Sequence, residues 1–452
     1  MVNKVIKLDG IWLCSEEAAK TEQVPDGTHV LVLKDAFMLA ADADYPMTQE
    51  GMVQIFLDWS EGAFAYVPNR KSFFIYEALE YDHNLNTWGG VWRAEQARLG
   101  LYHVLEDFTK ELIGGKQALL KFDLESLSED VRQQIWEMTK RVDKRMDQTA
   151  SITDENLRKF VKKHGSIEIP FDDPQHSGKL INCQNGVFDL ETMTFRSSVR
   201  EDFMTYVLPV MYNPAANADE IWPFLDKLFC GNEELMEYAL GLLGLMLDRT
   251  YLPKPILLFY SERGSSGRST FLRFLGNCLG PFVNNSVNEY ASHNHPYFKK
   301  GTEFHLTHVL YPPRLKTIMF PIMSDNLTDM GWDEIAYCGD GGQITYCSYD
   351  LPKFDDTGTI LSVIEANKLP ALKPSFRGRI RVIPFEWERK RQDSLTFEEE
   401  KDFCTQTIRS MFLNLLIEYY NRYVSGQIYE PHDLMDLDRR CIQGYDQERI
   451  IW

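Results

Sequence analysis

The chain has 452 residues, of which 44% are hydrophobic and 25% charged, and its formal net charge is −19. This length exceeds what one hydrophobic core usually holds, so two or three domains are expected. The composition is typical of a globular protein rather than a disordered or membrane-embedded one. The acidic balance excludes a protein that coats nucleic acid over its whole surface, although a few local Lys or Arg residues can still line a narrow channel.

No targeting or membrane segment is recognisable in the sequence. The longest apolar runs are broken by charge or fall short of the roughly 20 residues that cross a bilayer. The first residues, MVNKVIKLDG, contain no apolar signal core. An intracellular protein without a membrane partner is therefore expected. The eight cysteines form no CxxC pair, which favours buried reduced thiols over a zinc ribbon or a disulfide framework.

In chain order, residues 1–50 give no clear pattern, and the next segments predict one hairpin and two helices. Residues 65–82 combine two β-prone stretches with a Pro-Asn turn, as in a β-hairpin. Residues 95–113 carry apolar side chains at helical spacing, and the pair Gly114-Gly115 is expected to end that helix. A second helix is predicted at 128–146.

The second half of the chain predicts an α/β fold. Residues 180–195 form a hairpin pattern around an Asn-Gly turn, and 219–250 are helical. A short apolar strand at 255–260 then leads through a Gly/Ser loop into an amphipathic helix. Further apolar strands are predicted at 315–323, 358–366 and 379–386, followed by a helical segment at 397–424. Strands that alternate with helices indicate a parallel sheet.

The Gly/Ser loop matches part of a phosphate-binding pattern. Residues 262–269, ERGSSGRS, align with GxxxxGK[ST], in which backbone amides hold phosphate, Lys reaches the terminal phosphates and the hydroxyl binds magnesium. Gly264, Gly267 and Ser269 keep that pattern, whereas the first Gly and the Lys are replaced. On the loop alone, a structural Gly/Ser turn and a nucleotide site remain alternatives.

The elements around the loop carry a family resemblance. NGVFDLET at 185–192, EANKLP at 365–370 and RIRVIPF at 379–385 occur in the order found in the phage/plasmid and poxvirus primase–helicase family, which the chain resembles over roughly residues 55–430. The motor of that family is a superfamily-3 helicase of the AAA+ class. The resemblance implies an AAA+ P-loop ATPase domain with a central parallel sheet, a mixed α+β N-terminal domain before it and a helical C-terminal segment after it.

The same resemblance implies a domain organisation. The expected parts are an N-terminal extension at 1–50, a helicase-associated domain at 51–215, the ATPase domain at 216–390 and the C-terminal segment at 391–452. About 50 residues before the helicase-associated region are too few for a catalytic primase module. A separate primase or polymerase is therefore an expected partner.

The family's site residues transfer to matching positions, with ATP and Mg²⁺ as the implied cofactors. Ser269 and Asp325, after the strand TIMFPIM, would hold magnesium, and Asn367 would orient the attacking water. Arg379, with Arg381 as the alternative, resembles the arginine that a neighbouring subunit supplies, which implies a ring, commonly a hexamer. The residues expected to hold the nucleotide are Gly264, Ser265, Ser266, Gly267, Arg268, Ser269 and Thr270.

Five positions depart from the family pattern, and four of them lose a positive or gain a negative charge. They are Glu262, Arg268, Glu334, Cys347 and Gly378. Positive charge is what phosphate and DNA binding require, so this drift bears on activity. In the hairpin at 343–357, which is expected to contact single-stranded DNA, Lys353 is the nearest remaining base.

Three weaker patterns have simpler explanations. Asp42 and Asp44 could be a metal-binding acid pair, but a turn with solvated acids is favoured. Four histidines with HxH and HxxH spacing could bind zinc, although no Cys or acid completes the set: His293, His295, His305 and His308. A group of aromatic residues could stack on bases, but core packing is favoured: Trp59, Trp88, Trp92, Phe73, Phe74 and Tyr76.

Two functions therefore stand side by side. One is a ring-forming, ATP-dependent DNA helicase or translocase for a virus, phage or plasmid-like element, in the cytoplasm of the host cell. The other is an ATPase-impaired relative that keeps the fold and acts as a replication scaffold or regulatory protein. ATP turnover distinguishes them.

Overall fold

The computed structural model describes most of the chain. The described residues are 4–9, 11–25, 28–60, 64–67, 72–94, 99–153, 155–157, 159–160, 171–263, 266–284, 317–323, 329–342, 344–346, 354–356, 360–387 and 403–449. They belong to two compact units: Met1–Tyr76 with Arg93–Ile169, and Glu77–Trp92 with Pro170–Trp452. Among these residues, no helix combines the length and apolarity needed to cross a membrane.

The first unit contains short strands and several helices among its described residues. Its strands are β1 (Val5–Leu8), β2 (Ile11–Cys14), β3 (His29–Val32) and β4 (Phe64–Val67). Its helices are α1 (Glu16–Thr21), α2 (Asp35–Ala41), α3 (Gln49–Trp59), α4 (Leu99–Lys121) and α5 (Glu129–Met146). Strand β2 pairs with β1 antiparallel and with β3 parallel. Helix α5 begins as predicted, because the Ser128 side chain accepts a hydrogen bond from the Val131 amide at the N-terminus.

The prediction that Gly114-Gly115 ends a helix is wrong, since α4 continues to Lys121. A Cβ atom on Gly115 would lie 2.4 Å from the Phe37 Cβ, so this glycine lets α2 approach α4 closely. Two glycines cost a helix about 1 kcal/mol each relative to alanine. Burial of Leu112 and Leu119, which flank the pair, offsets that cost. Tertiary packing overrides the local propensity here.

The first predicted hairpin is confirmed by the pairing of its strands. Strand β4 pairs antiparallel with β5 (Ser72–Asp82), and β5 lies next to β6 (Thr87–Ala94). Residues 68–71, which contain the predicted turn, lie outside the described residues.

The predicted Asn-Gly hairpin is also confirmed. After a short helix α6 (Pro174–Ser177), strands β7 (Leu180–Cys183), β8 (Gly186–Asp189) and β9 (Thr194–Arg196) form an antiparallel sheet. Asn185 fixes the turn, because its buried side-chain amide donates to the Tyr212 carbonyl at 2.8 Å.

A five-stranded parallel sheet forms the centre of the second unit, as the alternating pattern predicted. Its strands in spatial order are β11 (Val283–Asn284), β12 (Thr317–Met323), β15 (Leu361–Ala366), β10 (Ile256–Tyr260) and β16 (Ile380–Pro384). Strand β10 is therefore interior and pairs in parallel with β15 and β16. Strands β13 (Ile344–Tyr346) and β14 (Phe354–Asp356) form a separate antiparallel hairpin within the predicted 343–357 segment.

Helices pack around this sheet and form two hydrophobic cores with it. They are α7 (Trp222–Leu228), α8 (Glu233–Gly244), α9 (Arg268–Leu279), α10 (Asp329–Gly339), α11 (Gln406–Val424) and α12 (His432–Arg449). The helical prediction at 219–250 is thus confirmed, and the one at 397–424 is confirmed for 406–424, while 397–402 lie outside the described residues. Glycine again permits close contact, since a Cβ on Gly244 would lie 2.8 Å from the Leu416 carbonyl oxygen of α11. The cysteines whose side chains are described are free thiols, and all but the exposed Cys230 are buried as expected: Cys14, Cys183, Cys278, Cys404 and Cys441.

Candidate functional site

The candidate site lies at the carboxyl end of β10. The chain leaves this strand at Tyr260, passes through the loop at 261–267 and enters α9 at Arg268. The Ser261 amide donates to the Ala366 carbonyl at 3.0 Å, which joins the loop to the end of β15. Carboxyl ends of parallel strands and helix N-termini are where α/β proteins bind anionic ligands. The predicted order of strand, loop and helix is therefore present.

Gly267 is required by both its conformation and its neighbours. Its φ is +83°, a region that side chains other than glycine rarely adopt. A Cβ atom there would lie 2.5 Å from Trp387 Cε3 and 2.8 Å from Leu228 Cδ2. The loop backbone is consequently pressed against two side chains at the point where α9 starts.

Arg268, at the position of the pattern's Lys, points into the protein and is only 6% exposed. Its Nη1 donates to the carbonyls of Phe259 at 3.3 Å and Ala366 at 2.6 Å. Its Nη2 donates to Asn367 Oδ1 at 2.7 Å, and its Nε donates to Ser266 Oγ at 3.0 Å. The guanidinium thus connects the ends of β10 and β15 with the first turn of α9. These hydrogen bonds therefore direct the guanidinium toward other parts of the protein and not outward over the loop.

Glu365, which belongs to none of the predicted site positions, completes this group. It is the only charged residue of β15, is 9% exposed, and both of its carboxylate oxygens lie 3.2 Å from Ser269 Oγ. Burial lowers the pKa of the Arg268 guanidinium, and the negative charge of Glu365 opposes that shift. We call these five side chains the Arg268 cluster: Ser266, Arg268, Ser269, Glu365 and Asn367. One acid within an otherwise apolar strand was the available signal.

Glu262, at the position of the pattern's first Gly, is directed to a neighbouring hydroxyl. Tyr260 Oη donates to Glu262 Oε1 at 2.6 Å on the exposed side of the loop. Burial, together with this hydrogen bond and the glutamate charge, raises the pKa of Tyr260 to about 12. Thr270 is buried, and its hydroxyl accepts from Arg273 Nη2 at 3.4 Å.

The two arginines considered for a subunit interface have different environments. Arg379 is paired with Asp340, with 2.5 Å between Nη1 and Oδ1, and its side chain is 30% exposed. Arg381 lies 3.5 Å from Asp438 and 3.8 Å from Glu430, so it attaches α12 to the sheet. Burial, with a contribution from Glu430, raises the pKa of Asp438 to about 8, and Arg381 opposes that rise. Arg381 thus has a structural role, which leaves Arg379 as the candidate.

Some of the predicted site residues fall in parts of the chain that the structure does not describe. Gly264, Ser265, Asp325 and Lys353 lie outside the described residues, as do Cys347 and the four histidines. The structure therefore brings together Ser266, Gly267, Arg268, Ser269 and Asn367, whereas Arg379 is engaged with Asp340.

Two of the three weaker sequence patterns have structural explanations in the described residues, and the histidine pattern lies outside them. Asp42 Oδ1 accepts from the Asp44 amide at 3.0 Å, which confirms the turn. The Asp42 side chain is only 11% exposed and forms an ion pair with Lys4, so it is not the solvated acid that was expected. Trp92 and Phe74 are buried, in agreement with core packing. Trp88, another of these aromatic residues, is 51% exposed instead, and its ring centroid lies 4.4 Å from that of Tyr81.

The oxygen atoms that the Arg268 cluster offers as metal ligands fit a magnesium-bound nucleotide. Mg²⁺ prefers oxygen ligands and usually takes one or two carboxylates together with substrate phosphates. Ser269 and Glu365 offer a hydroxyl and a carboxylate beside the first turn of α9. No group of three His, Cys, Asp or Glu residues within the described part of the chain could hold a metal alone. Phosphate oxygens would have to complete such a site.

Two comparisons with known proteins match parts of this chain. Residues 53–230 match the family described as "D5 N terminal like", a segment that ends before β10. A protein of Invertebrate iridescent virus 3 named "Putative helicase 121R" is 26% identical over 228 residues, which cover 46% of this chain and 22% of the relative. The chain thus spans about a fifth of the length of that relative. Both matches are partial: one is to a D5-like N-terminal segment, and the other is to part of a viral protein named as a helicase.

Two solved structures of the NrS-1 C-terminal region in its apo state show a distant likeness. One is 11% identical with a TM-score of 0.35, over 50% of this chain and 56% of that chain. The other is 11% identical with a TM-score of 0.36, over 53% of this chain and 55% of that chain. At these values the likeness is too low to assign a fold or a function.

The packing around Gly267 predicts a large loss of stability in Gly267→Ala. Alanine at a left-handed position costs about 1–2 kcal/mol, and forcing a methyl group into a packed site adds about 1–3 kcal/mol. Gly426 is the matched control: its φ is +73°, and no described atom beyond its chain neighbours lies within 4 Å of where a Cβ would sit. In chemical denaturation, Gly267→Ala should lose more unfolding free energy than Gly426→Ala. Equal losses would contradict the close packing of the loop.

Proposed function

We propose that this chain is an ATP-dependent DNA helicase or translocase that serves replication of a virus, phage or plasmid-like element. The observation that carries the proposal is the Arg268 cluster. It brings Ser269, Glu365 and Asn367 together at the carboxyl ends of two interior parallel strands, β10 and β15. The interior position of β10 in the strand order supports a P-loop core of the AAA+, superfamily-3 type. The match at 53–230 supports a helicase-associated domain before it.

ATP and Mg²⁺ are the cofactors that this site would use. Bound Mg²⁺ would neutralise charge on the transferring phosphate. Backbone amides at the start of α9 would hold the phosphates, and the Ser269 hydroxyl would face the cation together with Asp325. Asn367 would orient the attacking water once Arg268 releases its side-chain oxygen, which accepts from that arginine at 2.7 Å.

In a ring of identical subunits, commonly six in this class, Arg379 would reach the nucleotide of the neighbouring subunit. Its guanidinium is partly exposed at the amino end of β16 and is held by the exposed acid Asp340. Exposed ion pairs contribute only about 0–1 kcal/mol, so Arg379 can exchange this partner for a phosphate of the neighbouring subunit. Single-stranded DNA would pass along the β13–β14 hairpin near Lys353. Priming would come from a separate primase or polymerase in the host cytoplasm.

The second candidate is a replication scaffold that does not hydrolyse ATP. The specific observation in its favour is that Nε and both Nη atoms of Arg268 donate to protein acceptors. The lysine of the usual pattern approaches the phosphates as a compact point charge, which a planar guanidinium does not reproduce. The domains at 1–50, 51–215, 216–390 and 391–452 would then serve assembly instead of translocation.

ATPase measurements with and without single-stranded DNA distinguish the two candidates. For a motor we expect DNA-stimulated turnover that falls at least about 100-fold in Asn367→Ala, because the water is no longer oriented. Arg268→Lys should keep turnover within about tenfold, because lysine is the residue that reaches the terminal phosphates in the usual pattern. Arg439→Lys, an exposed residue of α12, is the matched control and should not change the rate.

The possible results favour different candidates. Background turnover in the wild type that rises in Arg268→Lys would favour the scaffold. Wild-type turnover that survives both Asn367→Ala and Arg268→Ala would contradict the proposed site altogether.

Assembly provides a separate prediction for Arg379. With a non-hydrolysable ATP analogue and Mg²⁺, mass photometry should detect rings of the wild-type chain, and Arg379→Ala should shift them toward smaller species. Arg377→Ala, an exposed arginine two residues earlier, is the control and should assemble normally. Unchanged assembly together with unchanged hydrolysis in Arg379→Ala would argue against an interfacial role.

A further inference from the structure

Glu365 introduces a buried negative charge where a polyanion is proposed to bind. We propose that Glu365 is a ligand of the nucleotide-bound divalent cation and makes nucleotide binding strictly dependent on that cation. The inference rests on the proposed function, because it concerns the same site. It adds a residue that the phosphate-binding pattern does not contain and that lies on a different segment from Asp325.

The geometry supports a cation position between α9 and β15. Both oxygens of the Glu365 carboxylate are equidistant from Ser269 Oγ, at 3.2 Å, so the carboxylate faces the hydroxyl with its two oxygens. Two oxygen donors from different elements therefore converge at the first turn of α9. A cation that binds Ser269 would lie next to this carboxylate.

The charge of Glu365 has opposite consequences with and without a cation. A metal-free triphosphate at the start of α9 would meet a carboxylate that is 9% exposed, so solvent would screen their repulsion only weakly. A divalent cation between the two anions converts this repulsion into coordination. Since one or two carboxylates suffice for Mg²⁺ when phosphates complete its shell, Ser269, Glu365 and the nucleotide form a reasonable ligand set.

Glu365 also balances the buried charge of Arg268, and that structural role must be separated from the proposed one. A carboxylate that only balances Arg268 would affect stability and overall affinity for nucleotide. It would not affect the ratio between affinities measured with and without a divalent cation. That ratio is therefore the diagnostic quantity.

The experiment measures binding of a fluorescent ATP analogue by the full chain, in excess Mg²⁺ and in excess EDTA. In the wild type we expect binding to weaken at least about 50-fold in EDTA, and in Glu365→Gln less than about fivefold, because the neutral amide no longer repels metal-free nucleotide. Glu386→Gln is the control: it removes the same charge from an exposed side chain just after β16, and it should behave as the wild type. Glu365→Asp, which keeps the charge, should retain most of the cation dependence.

Each result has a defined meaning. If the wild type binds equally well in EDTA, or if Glu365→Gln keeps the wild-type ratio, the inference is overturned while the nucleotide site stands. If no variant binds nucleotide under either condition, the proposed function fails and the inference fails with it. Should Glu365→Gln not fold, a Glu365→Asp variant that loses the cation dependence would equally overturn it.

Discussion

The hydrogen bonds of the Arg268 guanidinium hold the candidate site together. One side chain connects the last residues of β10, the end of β15 and the first turn of α9, at distances of 2.6–3.3 Å. A buried charge costs several kcal/mol unless it is paired and hydrogen-bonded. The carbonyls of Phe259 and Ala366 and the charge of Glu365 supply that compensation. The conformation of the loop therefore depends on the Arg268 guanidinium. In the usual pattern the positively charged side chain at this position contacts phosphate instead.

This arrangement explains why the site supports two candidate functions. A triphosphate would have to compete with acceptors that are already well placed, and hydrogen bonds from a charged donor contribute about 1.5–3 kcal/mol each. If phosphate replaces these acceptors as the partner of Arg268, the hydrogen bond from Arg268 to Asn367 is lost as well, so nucleotide binding and water positioning are coupled. If it does not, the same contacts maintain a stable fold without turnover. The balance between these acceptors decides the function.

Much of the fold could be predicted from the sequence, because the signals were local. The apolar run at β10, the Gly/Ser loop and the helix after it are recognisable from pattern alone, and so is the Asn185-Gly186 turn. Gly114-Gly115 failed as a helix end because contact with Phe37, far away in the sequence, outweighs local propensity. Residues 1–50 gave no pattern because strands of four residues are too short to show a period.

The chemistry of the site was harder to predict than its position. Alignment with the phosphate-binding pattern located Arg268, but it could not tell that the guanidinium turns inward toward Asn367, since side-chain direction depends on acceptors from another strand. Glu365 was missed because no role was attached to the first position of the EANKLP element, although it is the one charged residue of its strand. The family resemblance favoured Arg379 over Arg381, and the acids around Arg381 give that preference a physical reason.

The most direct test is an experimental structure of the chain with Mg²⁺ and a non-hydrolysable ATP analogue. The measured quantity is the distance between Arg268 Nη2 and Asn367 Oδ1, which is 2.7 Å in this structure. We expect the triphosphate at the start of α9, beside Ser269 and Glu365, with this hydrogen bond broken and Arg268 turned toward phosphate. A nucleotide bound elsewhere, or an Arg268–Asn367 hydrogen bond that persists in a chain saturated with the analogue, would contradict it.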